Sequence, residues 1–157
     1  MQTPPTLTGR GEYEALVVRV DYSDESAWRA VAWALAQPWG DGEFEPQLHV
    51  VDDSVWAAAS TDQVLAAVAG DRYLGVVFIA DGTTMQSPFH ALLAVITLRR
   101  GEADDETYDH LTKHGREFRA EPGALDDIQA NLQTGNMTFD EFAAIAREDP
   151  DGICRAI

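Results

Sequence analysis

Cysteine and lysine are almost absent from this chain. Cys154 and Lys113 are the only residues of their types among 157. A single cysteine forms neither an internal disulfide nor a cysteine-built zinc site. Lys113 lies in a strongly charged segment without the apolar pocket that would lower its pKa, which argues against Schiff-base chemistry.

Long apolar runs and clustered bases are also missing. The longest apolar stretches, near 74–80 and 91–98, are strand-sized, whereas a membrane span needs about 20 apolar residues. The N-terminus has no basic region followed by an apolar one, so we expect no secretion and a cytoplasmic location. The 11 Lys and Arg face 27 Asp and Glu, a net charge of −16. We therefore expect neither nucleic acid nor a membrane as partner, because a phosphate backbone is bound by clustered bases.

The rest of the composition is that of a globular protein, with 45% hydrophobic and 24% charged residues. A chain of this length predicts one domain. Residues 1–12 are polar and rich in proline, threonine and glycine, which predicts a flexible N-terminal tail. Residues 13–157 are predicted to form a single α/β domain.

Apolar runs alternate with helix signals along that domain. Such runs predict five strands, at 15–20, 45–51, 74–80, 91–98 and 117–120. Helical spacing predicts helices from Ser23 to Gln37, from Ser60 to Gly70, from Pro122 to Leu132 and from Thr138 onward. Three capping signals support these starts: Ser23 as an N-cap, and capping boxes of Ser60 with Gln63 and of Thr138 with Glu141. The order β-α-β-α-β-β-β-α-α predicts a mixed five-stranded sheet with helices packed on it, an α/β fold.

The connections predict how the strands run. Strands separated by helices are parallel, so the first three strands should be parallel and the last two antiparallel. The strands at 74–80 and 91–98 are apolar on both faces, which predicts a central position. His49 interrupts the apolar pattern of 45–51, which predicts an edge.

Aspartates follow three of the predicted strands: Asp21, the pair Asp52–Asp53, and Asp81. If the strands are parallel, these carboxylates gather at the edge where open α/β sheets bind ligands. There Asp21 and Asp81 are candidate catalytic residues, able to bind Mg²⁺ or to divide acid and base roles, and we expect them to face one cavity. The alternative is that aspartate is a common residue at strand ends and turns.

Hydroxyl side chains follow Asp81 directly. Thr83, Thr84 and Ser87 are predicted to lie in a loop that could bind an anion or an oxygenated ligand, together with Asp81. The loop lacks the glycines and lysine of a phosphate-binding loop. The alternative is a rigid crossover fixed by Pro88.

Glu106, His110 and His114 recur every four residues, so on a helix they share one face. Two imidazoles and a carboxylate are suitable ligands for zinc or iron. The neighbouring aspartates favour a solvated surface helix instead. We therefore expect no metal at this position, and we expect no cofactor elsewhere in the protein.

Five acids stand within eight residues with no base between them, and we call them the acidic segment: Glu102, Asp104, Asp105, Glu106 and Asp109. Such a segment can steer a basic protein or peptide towards this surface. The alternative is that the negative charge serves solubility alone.

The chain has four tryptophans, Trp28, Trp33, Trp39 and Trp56. Trp28 falls on the apolar stripe of the first helix and is predicted to lie in the core. Trp33 lies off that stripe, so it is either an exposed anchor for a partner or part of a second packing layer or of the helix edge.

Three segments carry a resemblance to a known family: LVVRVDYSD at 16–24, ADGTTMQSP at 80–88 and NLQTGNMTFDEF at 131–142. Together they resemble an actinobacterial family of small acidic α/β proteins of unknown function, over most of residues 14–157. The resemblance implies a compact bacterial protein and supplies no activity. Two hypotheses remain: a binding module for a basic protein or peptide, and a small enzyme or ligand-binding domain that uses Asp21 and Asp81.

Overall fold

A computed structural model describes residues 7, 9–38, 45–71 and 74–155. These residues form one mixed sheet covered by helices on both faces. The strands are β1 (Ala15–Arg19), β2 (Leu48–Val51), β3 (Val76–Ala80), β4 (Leu92–Ile96), β5 (Glu117–Ala120) and β6 (Ile153–Cys154). The helices are α1 (Glu25–Leu35), α2 (Thr61–Ala67), α3 (Gly82–Gln86), α4 (Asp105–Leu111), α5 (Leu125–Thr134) and α6 (Phe139–Glu148).

The strand order in the sheet is β2-β1-β3-β4-β5-β6. β1 is parallel to β2 and β3, β4 is antiparallel to β3 and β5, and β6 is parallel to β5. The predicted directions, the edge position of β2 and the central position of β3 and β4 are confirmed. Because only β4 runs the other way, the other five strands all terminate at the same end of the sheet. We call this end the carboxyl edge and the opposite end, where these strands begin, the amino edge; neither name refers to an edge strand.

The prediction of five strands is wrong, because the sheet has a sixth. β6 consists of Ile153 and Cys154 alone, which pair with Arg119 and Ala120 of β5. Two residues are too few to show an alternating pattern in the sequence. Pairing with β5 supplies the order that local sequence does not.

Alternate residues of the strands enter two separate cores. Ala15, Val17 and Phe78 pack with α1, α5 and α6, whereas Leu16 and Ile79 pack with α2 on the other face. Trp28 is buried in the first core, as predicted, and Trp56 in the second.

Three predicted capping signals have different outcomes. The capping boxes of Ser60 with Gln63 and of Thr138 with Glu141 are confirmed. Ser23 is not the N-cap of α1. The cap is Asp24, whose carboxylate accepts a hydrogen bond from the N–H of Ala27 at 3.0 Å.

The predicted hydroxyl loop is wrong for most of its length, because Gly82–Gln86 is helical. Asp81 accepts a hydrogen bond from the N–H of Thr84 at 3.0 Å, and its own N–H donates to Thr84 Oγ1 at 3.2 Å. This reciprocal pair is a capping box, with Thr84 in the place usually taken by Glu or Gln. Ser87 ends the helix in an extended conformation before Pro88.

Residues 1–6 and 8, most of the predicted tail, lie outside the described residues. The N–H of Leu7 donates to the carbonyl of Ala67 at 3.0 Å. Arg10 binds both carboxylate oxygens of Asp71, at 2.7 and 2.9 Å. These contacts join the chain before β1 to the end of α2. Within the described ranges, no helix has the length and apolar character needed to cross a membrane.

Candidate functional site

The strand-end aspartates gather at the carboxyl edge. Val18 of β1 lies opposite Val51 of β2 and Ile79 of β3, so the three strands end side by side. Asp21, Asp52–Asp53 and Asp81 follow these strand ends and therefore lie at the same edge. Asp21 lies against the start of α3: a Cβ placed on Gly82 would be 3.1 Å from Asp21 Oδ2.

Asp81 is held by an arginine that the sequence did not indicate. Arg119 of β5 binds it through two parallel hydrogen bonds, Nη1 to Oδ1 at 2.8 Å and Nη2 to Oδ2 at 2.9 Å. Burial opposes ionisation of Asp81, but Arg119 and the N–H of Thr84 outweigh it and hold the pKa of this carboxyl below its ordinary value. Asp81 is therefore ionised, and its carboxylate links the start of α3 to β5.

A second arginine, Arg19, stands at the end of β1 and is 1% exposed. Its guanidinium donates to Asp52 Oδ1 at 3.2 Å, to Glu25 Oε2 at 2.8 Å and to the carbonyl of Asp21 at 3.0 Å. It also lies 4.0 Å from the ring centroid of Tyr22, within cation–π range. The only sequence signal for this cluster was a charged residue inside an apolar strand.

Asp52 and Tyr22 complete that cluster. Trp28 Nε1 donates to Asp52 Oδ2 at 3.1 Å, so Arg19 and Trp28 occupy both oxygens of Asp52. Burial and the nearby carboxylate of Asp52 raise the pKa of Tyr22 to about 12. The Tyr22 hydroxyl is buried and has no well-formed hydrogen bond to any residue that the structure describes.

Of the two predicted catalytic carboxylates, Asp21 is more accessible to solvent than Asp81. The hydroxyl and the N–H of Ser23 donate to its Oδ1 at 2.6 and 2.8 Å, and these bonds lower the pKa of Asp21. Asp21 lines an open cavity of about 460 Å³ with Tyr22 and Gly82, but Asp81 is not part of that lining.

The predicted hydroxyl ligands have separate surroundings. Thr84 is fully buried and its hydroxyl donates to Asp81 Oδ1 at 3.0 Å. The Ser87 hydroxyl accepts from the N–H of Phe89 at 3.1 Å. Thr83 is exposed to solvent. These three hydroxyls do not converge on one point through these contacts.

The predicted Glu106, His110 and His114 face does not form, because α4 ends at Leu111 before it reaches His114. His110 Nε2 lies 3.8 Å from Asp140 Oδ2 of α6, and Lys113 Nζ lies 3.5 Å from the same oxygen. These contacts join α4 and the turn that follows it to α6. Among the residues described, no three His, Cys, Asp or Glu side chains are grouped to hold a metal ion.

All five acids of the acidic segment are exposed. Arg100, just before the segment, binds Asp105 at 3.2 Å and Asp109 at 2.7 Å. Glu102 and Asp104 accept hydrogen bonds from the backbone N–H groups of Arg99 and Thr107. Three acids thus have no ion pair within the described part of the chain: Glu102, Asp104 and Glu106.

An apolar cleft of about 550 Å³ opens beside this segment at the amino edge. Its walls come from the end of α2, the start of β3, the end of β4, the ends of α4 and α5 and the start of α6, and include Leu74, Ile96, Leu98, Leu111 and Leu132. Glu102 of the acidic segment lies on its rim. No sequence pattern indicates this cleft, because its walls are far apart along the chain.

Three further residues stand out in the sequence: Trp33, Trp39 and Cys154. Trp33 is 68% exposed on α1, so it is not part of a second packing layer formed by the described residues. Trp39 lies outside the described residues. Cys154 is buried, and burial raises the pKa of its thiol to about 11, so it is protonated at neutral pH.

Residues 14–157 match a family described as Domain of unknown function (DUF6924). The chain belongs to this family. The matched range contains every strand of the sheet and therefore both edges described above. The DUF6924 family is one of unknown function, as the sequence resemblance implied, so the activity of this member has to be argued from its own residues. None of the curated proteins compared with the chain matches it.

Proposed function

We propose that this DUF6924 protein is a small acidic cytoplasmic binding module that engages a basic protein or peptide, in the manner of an inhibitor or immunity protein. The acidic segment is its docking surface. The observation that carries the proposal is the exposed set of Glu102, Asp104 and Glu106, none of which forms an ion pair with a described residue.

Unpaired surface acids differ physically from paired ones. A carboxylate with a guanidinium beside it presents a dipole, whose field falls off quickly, whereas an unpaired carboxylate presents a full charge to solvent. Several such charges on one surface raise the rate at which a basic partner arrives, more than they raise the final affinity. The net charge of −16 extends this field over the molecule.

The test is the salt dependence of association with a basic partner recovered at low salt. The Debye length falls from about 10 Å at 0.1 M salt to about 3 Å at 1 M, so we expect the association rate to fall about tenfold or more over that range. The triple variant Glu102→Gln, Asp104→Asn, Glu106→Gln should flatten this dependence. Asn caps a helix as well as Asp, so α4 should remain intact.

A matched control removes three acids at the carboxyl edge: Asp21→Asn, Asp24→Asn and Asp53→Asn. It changes the net charge equally and keeps amide caps at α1 and at the turn Ser54–Trp56. We expect the control to keep most of the wild-type slope. Equal slopes for the two triple variants, or a wild-type rate that ignores salt, would contradict the proposed docking surface.

A second candidate function is a small enzyme or ligand-binding domain at the carboxyl edge, using Asp21 and Asp81 with Thr83, Thr84 or Ser87. It is favoured by the cavity that Asp21 lines beside α3. A titration with Mg²⁺ or Mn²⁺ tests it, comparing wild type with Asp21→Asn and Asp81→Asn. Metal affinity that is lost in Asp21→Asn supports this function, and equal affinity in all three proteins rules out both carboxylates as ligands.

A further inference from the structure

The apolar cleft at the amino edge lies directly beside the acidic segment. Val68, Leu74, Ile96 and Phe139 at its walls are each less than 5% exposed as residues, yet they border an opening of about 550 Å³. That volume is within the range of about 300–1,000 Å³ found for ligand pockets. Apolar walls around an open cleft favour an apolar occupant.

The charged groups at the cleft decide the sign of the occupant. Asp71 and Glu102 are the charged side chains among its described lining, and both are acids. Arg10 binds Asp71 through both oxygens, which offsets its charge. Glu102 is exposed, accepts a hydrogen bond from the N–H of Arg99 and has no ion pair with a described residue. Among the described lining residues, Glu102 therefore presents a negative charge that complements a cation.

The size of the occupant follows from the arrangement of cleft and segment. Glu102 lies on the rim, and Asp104 and Glu106 continue from it into α4. An occupant that fills the cleft and also meets those acids must extend beyond the cleft itself. A peptide segment with apolar side chains on one face and bases beside them satisfies both requirements.

We infer that the cleft receives the apolar side chains of an amphipathic basic segment of the partner, while the acidic segment binds the bases that flank them. This inference rests on the proposed function and names how the partner is recognised. Apolar anchors in a water-excluding cleft dominate the affinity of an interface, whereas rim charges govern its association rate. The two features thus have separable effects.

Gly75 offers a way to fill the cleft. A Cβ at this position would lie 3.9 Å from the Cβ of Leu132, an ordinary van der Waals contact, so Gly75→Leu should fold with its side chain in the cleft. Ala69→Leu fills the cleft from another wall and serves if Gly75→Leu is unstable. Gly70→Leu is the matched control, because a Cβ there has no neighbour within 4 Å and Gly70 is not among the lining residues.

The probes are three synthetic peptides of equal length. The first repeats Lys-Leu-Leu-Lys, the second has Ser for each Leu, and the third has Glu for each Lys. Affinities are measured by fluorescence anisotropy at fixed salt. We expect the Lys-Leu peptide to bind wild type most tightly, and Gly75→Leu or Ala69→Leu to weaken it about tenfold or more. Gly70→Leu should bind as wild type, and the Lys-Ser peptide should not respond to cleft filling.

Four outcomes overturn the inference: no binding of the Lys-Leu peptide, equal binding of the Lys-Ser peptide, equal binding of the Glu-Leu peptide, or unchanged affinity in both cleft-filled variants. The failures of the two proposals are distinguishable. If cleft filling has no effect while the Glu102, Asp104 and Glu106 triple variant slows association, the acidic docking surface is supported and binding in the cleft is contradicted. If cleft filling weakens binding while salt and that triple variant have no effect, the acidic surface fails and the cleft is an apolar site alone.

Discussion

At the carboxyl edge of the sheet, arginines that are largely shielded from solvent bind several of the acids, whereas at the amino edge exposed acids lie beside an apolar cleft. Three arginines at the carboxyl edge each bind carboxylates: Arg19 with Glu25 and Asp52, Arg119 with Asp81, and Arg155 with Asp149 and Asp151. At the amino edge Arg100 offsets two acids of the acidic segment and leaves three.

The difference follows from burial. Arg19 is nearly inaccessible and Arg119 is about a quarter exposed, so carboxylates near them are stabilised by charges that solvent screens weakly. Arg100 has a side chain that is 57% exposed, and its ion pairs add little to stability. The ion pairs of Arg19 and Arg119 therefore stabilise the fold at the carboxyl edge, and the exposed acids without an ion pair at the amino edge are the basis of the proposed docking surface.

The largest effect on stability should come from Arg19→Ala. It removes three hydrogen bonds and the packing of a buried side chain against Tyr22, and we expect a loss of about 3 kcal/mol in the free energy of unfolding. Arg100→Ala is the control at the other edge and should leave urea unfolding almost unchanged. Equal losses in the two variants would remove the distinction between the edges.

A smaller loss is expected for Asp81→Ala, about 2 kcal/mol, because it removes both the cap of α3 and the ion pair with Arg119. Asp81→Asn keeps an amide oxygen that can cap α3 and loses only the charge. It should therefore cost about half as much in urea unfolding. If Asn costs as much as Ala, capping plays no part in holding α3.

Acid should weaken the carboxyl edge through Asp149. Arg155 and the N–H groups of Asp151 and Ile153 lower the pKa of Asp149 to about 2. Because this pKa is lower in the folded state, the contribution is fully present above about pH 4 and is lost as pH falls towards about 2. The thermal midpoint of Asp149→Asn should change less over this interval than that of wild type. Parallel profiles would show that Asp149 is not linked to folding.

The smallest effect belongs to the amino edge. Filling the cleft with Gly75→Leu should change the free energy of unfolding by less than about 1 kcal/mol, since the new side chain enters open space. Gly70→Leu should behave similarly in the same thermal or urea experiment. A loss of several kcal/mol in Gly75→Leu alone would mean that the cleft is closed in solution.

The parallel strands and the gathering of aspartates at one edge were predictable, because the helical segments between strands fix strand direction. The partners of those aspartates were not. Arg19 and Arg119 are distant from Asp52 and Asp81 in the chain, and only pairing of the strands brings them together. An arginine within a predicted strand indicates that a buried charge needs a partner, but it does not indicate which carboxylate binds it.

Short elements escaped prediction for a different reason. α3 has five residues and β6 has two, too few for a hydrophobic period to appear. Thr84 was assigned to a ligand-binding loop, but its hydroxyl and N–H form the capping box with Asp81. The cleft at the amino edge was missed because several separate elements supply its walls.

A chemical-shift map of the ¹⁵N-labelled protein with a basic partner or the Lys-Leu peptide tests directly where the partner binds. We expect the perturbed amides to cluster at the amino edge, around Gly75, Leu98 and Glu102. Amides at the carboxyl edge, such as those of Asp21 and Gly82, should stay in place. Perturbations centred on Asp21 and Gly82, with Gly75 and Glu102 unchanged, would contradict the proposed docking surface and assign binding to the carboxyl edge.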